Sequence, residues 1–303
     1  MFVGFDTSNY TTSAAVLDGN NVTHRKTMLS VREGERGLRQ SDAVFQHTVN
    51  MPELLKNMSF NSLQAVGVSD RPRNVEGSYM PCFLVGVNTA TAVARSCGVP
   101  LYRTSHQVGH ILAALYSADK LDWTSSRFIA FHLSGGTTEA LLVTPDKDEI
   151  VKAEIIAESL DLKAGQAIDR AGVMMGYKFP CGKMLDELSK QTDAEYKITP
   201  SMKGLNCSLS GVENKAKAML EKGASHADIS KFVLTYITNT IDKMLCGISE
   251  EFGNLPVIFS GGVSSNSLLR ERMINKYCAS FAEPSFSLDN AAGTAIFAKM
   301  KTD

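Results

Sequence analysis

Val3-Gly4-Phe5-Asp6-Thr7-Ser8-Asn9-Tyr10-Thr11-Thr12-Ser13-Ala14-Ala15-Val16-Leu17 decides the fold, because a like stretch returns without a gap at Ile129-Ala130-Phe131-His132-Leu133-Ser134-Gly135-Gly136-Thr137-Thr138-Glu139-Ala140-Leu141-Leu142-Val143. Each copy is an apolar strand, a turn of hydroxyl or glycine residues, and a second apolar strand. Apolar runs joined by such turns read as β-hairpins. The same hairpin in two halves of one chain signals a duplicated α/β domain. Turns of small residues expose backbone N–H groups and hydroxyls, the groups that hold phosphate. The pattern predicts a two-lobed nucleotide binder with its ligand between the halves.

The totals agree with two lobes. A chain of 303 residues has room for about two domains. Hydrophobic content of 44% and charged content of 21% supply real cores. A net charge of −1 argues against a broad nucleic-acid surface, so an RNA contact would be a local basic patch. Arg32, Arg36, Arg39, Arg71 and Arg73 are candidates for it, although Glu33 and Glu35 lie among them and favour a solvated surface. The first residues begin as a strand, without the basic and apolar regions of a leader. No apolar run reaches the ~18 residues of a membrane span. Six cysteines lie scattered with no CxxC pair, which suits structural thiols in a reducing compartment. The expected location is cytoplasmic, with no membrane.

Periodicity predicts a first lobe over residues 1–104, joined by a closing helix over 290–303. It holds the hairpin 2–17, a helix over 42–57, a strand over 65–68, a punctuated loop over 69–81 and a close-packed helix over 83–94. A second lobe over 105–289 follows, with a helix over 106–117, the hairpin 127–143 and a helical insertion over about 158–225. A long helix over 228–251, a strand over 257–260, a helix over 268–273 and a strand over 286–288 complete it.

Three motifs carry chemistry. Ser134-Gly135-Gly136-Thr137-Thr138 is either a tight hairpin turn or a phosphate cradle. Ser260-Gly261-Gly262-Val263-Ser264-Ser265-Asn266 follows a buried strand and precedes a helix; it is a capped helix start or a site facing negative charge. His106-Gln107-Val108-Gly109-His110 places two imidazoles on one helical face, a spacing that suits one metal ion. Gln107 cannot act as the base that a HExxH protease needs. Such a pair also serves at surfaces and caps. Asp289 is the third-ligand candidate, or simply the cap of the last helix. His132 reads as a core or turn residue.

With these motifs in order, and with Gly165-Gln166-Ala167-Ile168-Asp169-Arg170, Phe179-Pro180-Cys181-Gly182 and Asn206-Cys207-Ser208-Leu209-Ser210-Gly211, the chain resembles the TsaD family. These are the tRNA threonylcarbamoyladenosine-forming transferases, also catalogued as glycoproteases or O-sialoglycoprotein endopeptidases. The resemblance implies an actin-like, sugar-kinase-like ATPase fold: α/β, two-lobed, with duplicated mixed-sheet domains and a helical insertion. It implies one divalent metal ion per chain, iron or zinc, on His106, His110 and Asp289. Leu133, Ser134, Gly135, Gly136 and Thr137 would cradle the phosphate end of an adenylate (threonylcarbamoyl-AMP or ATP). Asp169, Gly182 and Asn266 would contact its nucleoside, and Asp169 is also the candidate proton acceptor. The implied reaction moves a threonylcarbamoyl or carbamoyl group from a carbamoyl-adenylate to the adenosine next to the anticodon of tRNA. Small partner proteins, or dimerisation with a shorter paralogue, are implied as well. Thr137 stands where the family has histidine, and Val108 and Gln166 stand where it has glutamates, which implies a divergent paralogue. Two other classes fit the same residues: a non-catalytic paralogue acting as a protein scaffold, and a small-molecule kinase of the same superfamily.

Overall fold

A computed structural model describes residues 1–8, 10–31, 38–56 and 58–303. In chain order the elements are β1 (Phe2–Asp6), β2 (Thr11–Asp18), β3 (Asn21–Met28), α1 (Gln40–Leu55), β4 (Ala65–Arg71), α2 (Phe83–Cys97), β5 (Leu101–Ser105) and α3 (His106–Ser117). Then come β6 (Phe128–Leu133), β7 (Thr138–Asp146), β8 (Ile150–Glu158), α4 (Ala164–Met174), α5 (Gly182–Ser189), β9 (Ser201–Lys203), β10 (Asn206–Ser208), α6 (Ser210–Glu221) and α7 (His226–Phe252). The chain ends with β11 (Val257–Ser260), α8 (Ser267–Tyr277), β12 (Ser280–Phe281), α9 (Pro284–Ser287) and α10 (Ala292–Thr302).

Two compact units result. One comprises Met1–Ser126, Thr144–Ala153 and Ser285–Asp303; the other comprises Arg127–Val143 and Glu154–Pro284.

The first unit is built on a five-stranded sheet in the order β3-β2-β1-β4-β5. β1 pairs antiparallel with β2 and parallel with β4, so the sheet is mixed. Alternation along β1 sends Val3 and Phe5 into a core with Val66, Val68, Met51, Ala90 and Ala94, from β4, α1 and α2. Gly4 and Asp6 point to the opposite face, where α10 lies. A Cβ on Gly4 would strike Ala291 and Thr294, so the absence of a side chain is what lets α10 settle on the sheet.

The second unit carries a sheet in the order β12-β11-β6-β7-β8, with β6 antiparallel to β7 and parallel to β11. Phe131, Phe259 and Phe281 stack across it, their neighbouring centroids 4.7 and 5.0 Å apart. The 27-residue α7 buries an apolar face of Val233, Ile237, Ile241, Met244 and Ile248 in the same core.

Half of the expected elements appear within two residues of their predicted bounds, and the strand over 65–68, the helices over 83–94 and 268–273 and the second hairpin run three or four residues further at their C-terminal ends. The expected insertion is helical over α4, α5 and α6, with a small β9–β10 hairpin set into it. The strand expected over 286–288 is instead the end of α9 at Phe286 and Ser287, followed by a bend at Leu288. Pro284 starts a helical turn, and Phe286 is used for packing, its ring 5.2 Å from His24 and 5.7 Å from Tyr116. α3, placed by sequence in the second lobe, groups with the first unit, because β5 runs into it without a break.

Candidate functional site

The candidate metal centre is local to the first unit. β5 ends at Ser105, whose hydroxyl accepts the Val108 N–H at 3.2 Å and caps α3. His106 is thus the first helical residue. His110 follows one turn later on the same face, and the two ring centroids are 4.3 Å apart. Asp289 arrives on the segment between α9 and α10. Glycines bring it close: a Cβ on Gly293 of α10 would run into the Gly109 backbone of α3.

The alternative roles can now be weighed. Ahead of the last helix Asn290 Oδ1 accepts the Ala292 N–H at 2.9 Å and its Nδ2 donates to Leu288 O at 2.6 Å, which ties down the turn that precedes α10. Asp289 instead sets Oδ1 3.1 Å from His110 Nε2 and 3.6 Å from His106 Nε2. Donors bound tetrahedrally at 2.0–2.1 Å lie about 3.3 Å from one another, so the observed separations bracket what one ion needs. One ligand atom from each of the three residues lies within 4.8 Å of the others. Two imidazoles and a carboxylate form a borderline donor set that accepts zinc or iron. The residues fit the ion.

Behind His106 stands a residue that sequence reading passed over. Asp6, 1% exposed, places Oδ2 2.9 Å from His106 Nδ1 and accepts the Ser69 hydroxyl at 2.6 Å. Its Oδ1 takes the Ser8 N–H at 2.9 Å and also the Ser8 hydroxyl. Burial pushes the Asp6 carboxyl up, but the charge of His106 and the hydrogen bonds from His106, Ser69 and Ser8 prevail and hold it below the usual carboxylate range. Burial likewise pushes His106 down, while Asp6 and then Asp289 outweigh it and raise the imidazole to about 9. The signal available was a strand ending in Asp-Thr-Ser, which reads equally well as turn chemistry.

The glycine turns belong to the second unit. Ser134 N–H donates to Thr137 O at 2.7 Å, and the Ser134 hydroxyl accepts from Thr137 N at 3.0 Å and Gly136 N at 3.3 Å, closing a tight loop. Gly135 and Gly136 are exposed, with open space where a Cβ would stand; Leu133 is buried beneath them. Two elements press on this loop. A Cβ on Gly165, in the first turn of α4, would sit 2.6 Å from Gly135 N. Gly261, at φ 90°, packs on the Leu133 backbone. Loop, glycine turn and helix start thus converge, the arrangement that favours an anion.

The nucleoside candidates lie in the same unit. Asp169 of α4 accepts the Cys181 N–H at 2.8 Å, immediately before Gly182 opens α5; burial raises its carboxyl, opposed by that bond. Asn266 caps α8 through Oδ1, 3.0 Å from Leu269 N, and donates from Nδ2 to Asp186 Oδ1 at 2.6 Å. Both ends of its amide are therefore engaged. Asp186, unremarked in the sequence, also accepts the Ser267 N–H and hydroxyl at 2.9 Å each and so fixes the α8 start. His132 sits in β6 with Nδ1 3.2 Å from Ser260 Oγ. Of the arginine strip, Arg32 and Arg36 fall outside the described residues, and Arg71 pairs with Asp70 and Glu149. No described helix is long and apolar enough to cross a membrane.

Comparison with known proteins agrees with this architecture. Component A of the (R)-2-hydroxyglutaryl-CoA dehydratase of Acidaminococcus fermentans is similar at a TM-score of 0.57 and 15% identity, over 99% of this chain and 98% of its own. A ROK family glucokinase from Streptomyces griseus gives 0.53 and 12%, over 99% of both chains. These likenesses establish the actin-like, sugar-kinase-like ATPase fold. Closer in sequence are two proteins named tRNA N6-adenosine threonylcarbamoyltransferase. That of Thermosipho africanus (strain TCF52B) is 27% identical over 89% of this chain and 83% of its own length. That of Campylobacter fetus subsp. fetus (strain 82-40) is 28% identical over 96% and 89%. Because residues 41–296 match the TsaD family as a whole, the chain belongs to that enzyme family, the tRNA N6-adenosine threonylcarbamoyltransferases.

Proposed function

We propose that the chain transfers a threonylcarbamoyl (or carbamoyl) group from a carbamoyl-adenylate to the exocyclic amine of an adenosine, with tRNA as acceptor and the position next to the anticodon as target. The amine nitrogen bonds to the carbamoyl carbon, the bond from that carbon to the phosphate oxygen breaks, AMP departs, and a base takes the amine proton. The observation that carries the reading is the donor triad of His106, His110 and Asp289, whose ligand atoms lie within 4.8 Å of one another, with the carboxylate 3.1 and 3.6 Å from the two imidazoles.

A divalent ion held there would supply Lewis-acid charge to the reaction. The other tasks fall to side chains and backbone. The 133–137 loop orients the phosphate end of the adenylate. Gly182 and Asn266 border its nucleoside. Asp169, whose carboxyl burial makes more basic, accepts the proton. No side-chain nucleophile is required.

The test is metal analysis of purified wild-type protein beside His110→Ala, with binding of a stable carbamoyl-adenylate analogue followed in parallel. The reading expects about one ion per chain, lost in the variant, and adenosine modification when tRNA and the adenylate are added. A wild-type protein that binds neither ion nor analogue would sink it.

A second reading, a scaffold that acts through a partner protein, draws on Phe45 and Val49. They lie four residues apart on one face of α1, at 69% and 55% exposure. Phe45→Glu should abolish partner capture while leaving metal content unchanged. If His110→Ala preserves cellular function and Phe45→Glu destroys it, the scaffold reading replaces the enzymatic one.

A further inference from the structure

We propose that Asp6 is a positioning residue of the metal centre: by accepting the Nδ1–H of His106 it fixes that ring so that Nε2 is the atom presented toward His110 and Asp289. This rests on the metal reading above, which assigns no role to Asp6 or to the serines around it.

The argument starts from cost. A carboxylate with 1% of its surface exposed is expensive unless every oxygen finds a donor. A turn would use only local donors, and Oδ1 does so, taking the N–H and hydroxyl of Ser8 two residues on. Oδ2 is different. It is aimed across the sheet face at Ser69, 63 residues away, and at His106, 100 residues away. Register explains the aim. Phe5 pairs with Val68, so Asp6 and Ser69 are the next residues along neighbouring parallel strands, and Ser69 pairs with Thr104 just before α3 begins.

The donor pattern then says which ring nitrogen keeps its hydrogen. Ser8 Oγ lies 2.8 Å from His106 Nδ1 and also contacts Asp6 Oδ1. Its hydrogen goes to the carboxylate, which leaves its lone pairs for the ring. Nδ1–H therefore meets two acceptors, Asp6 Oδ2 and Ser8 Oγ, and no donor. Nδ1 keeps its hydrogen, so the proton the ring gives up to take an ion is the one on Nε2, the atom 3.6 Å from Asp289 Oδ1. A carboxylate behind a ligating imidazole in this way fixes its orientation and raises its basicity, and losing it costs about 10–100-fold in metal affinity.

The experiment compares wild type, Asp6→Asn, Ser8→Ala and His110→Ala for Co²⁺ affinity by chelator competition and for the Co²⁺ absorption spectrum. Histidine ¹⁵N shifts of the ion-free protein, recorded at a pH high enough for the ring to be neutral, report the His106 tautomer. Expected are affinity lower by about 10–100-fold in Asp6→Asn, a smaller loss in Ser8→Ala, altered absorption bands in both, and a preference for Nδ1–H on His106 that is kept in Ser8→Ala and His110→Ala and lost or weakened in Asp6→Asn. A purely structural role would lower the melting temperature while leaving the spectrum and affinity of the folded fraction unchanged, and that result overturns the proposal. If Asp6→Asn does not fold, Ser8→Ala carries the same test. Wild-type protein that takes up no Co²⁺ overturns the metal reading itself. Wild type that binds beside an Asp6→Asn that binds equally well overturns only the role of Asp6.

Discussion

At the residue scale, two of the three proposed ligands could be read from sequence, because helical spacing alone puts His106 and His110 together. Asp289 needed the structure, since an Asp before Asn-Ala-Ala caps a helix as readily as it binds an ion. In the fold Asn290 bonds the first N–H of α10 while Asp289 faces His110, and a prediction follows from that division of labour. Asp289→Ala removes a donor and keeps the Asn290 bond to Ala292, so metal content should fall from about one ion per chain while the ion-free helix signal stays unchanged. Atomic absorption beside circular dichroism reads both. Asp6 was illegible for a converse reason: its partners are 63 and 100 residues distant, and no local pattern encodes them. Asp169 tests the chemistry. General-base catalysis contributes about 10²–10⁴-fold, so Asp169→Asn should lower kcat by that order with analogue affinity changed by only a few-fold. Equal losses in both would make Asp169 a binding group.

At the element scale, hairpins and long helices were legible because period and punctuation agree there. β6 and β7 flank a glycine turn, and α3 begins and ends where its apolar spacing does. The strand expected over 286–288 failed because two apolar residues two apart suit a strand or a turn of helix equally, and Pro284 together with tertiary packing of Phe286 decided for the helix. Glycine contacts give this scale its sharpest test. Gly261→Ala puts a side chain at φ 90° and against the Leu133 backbone, so the loop beneath the phosphate turn must shift. Analogue affinity should fall by at least tenfold while metal content is unchanged, because the proposed ligands of the ion belong to the other unit; equilibrium dialysis with both species separates the two effects. The start of α6 offers a pH test. Asp161 accepts N–H bonds from Leu162, Leu209 and Ser210 at 2.6, 2.7 and 3.2 Å. Burial raises its carboxyl, but those bonds and the Ser210 hydroxyl outweigh it and hold it below the usual range. A carboxyl depressed in the folded state contributes stability above its unfolded value, near 3.9, and loses it as pH falls through the folded value. The melting-temperature gap between wild type and Asp161→Asn should therefore be full at pH 6 and shrink below pH 4. A gap constant from pH 3 to 7 would remove the charge from the account.

At the scale of the whole molecule, the repeated hairpin announced two main sheets, and the two compact units are each built on one five-stranded sheet. Composition could not show how the chain is shared between them. Ser285–Asp303 returns to the first unit, and α3 joins it because no residue interrupts the passage from β5. That sharing has a thermodynamic consequence. All three proposed ligands lie in the first unit, two on α3 and one on a segment 179 residues beyond His110. An ion on them ties the C-terminal return to α3, and it binds only while that unit is folded. Free ion at 100 times its dissociation constant stabilises the state that binds it by about 2.7 kcal/mol. For a domain near 150 residues each kcal/mol moves the midpoint by about 2–4 °C, so the transition of the first unit should rise by about 5–10 °C. Differential scanning calorimetry of the chelated and zinc-loaded protein reads the shift. If the units unfold separately, the transition of the second unit should stay where it was, and His110→Ala should show no shift in either. A zinc effect that survives in His110→Ala would place the ion on other residues.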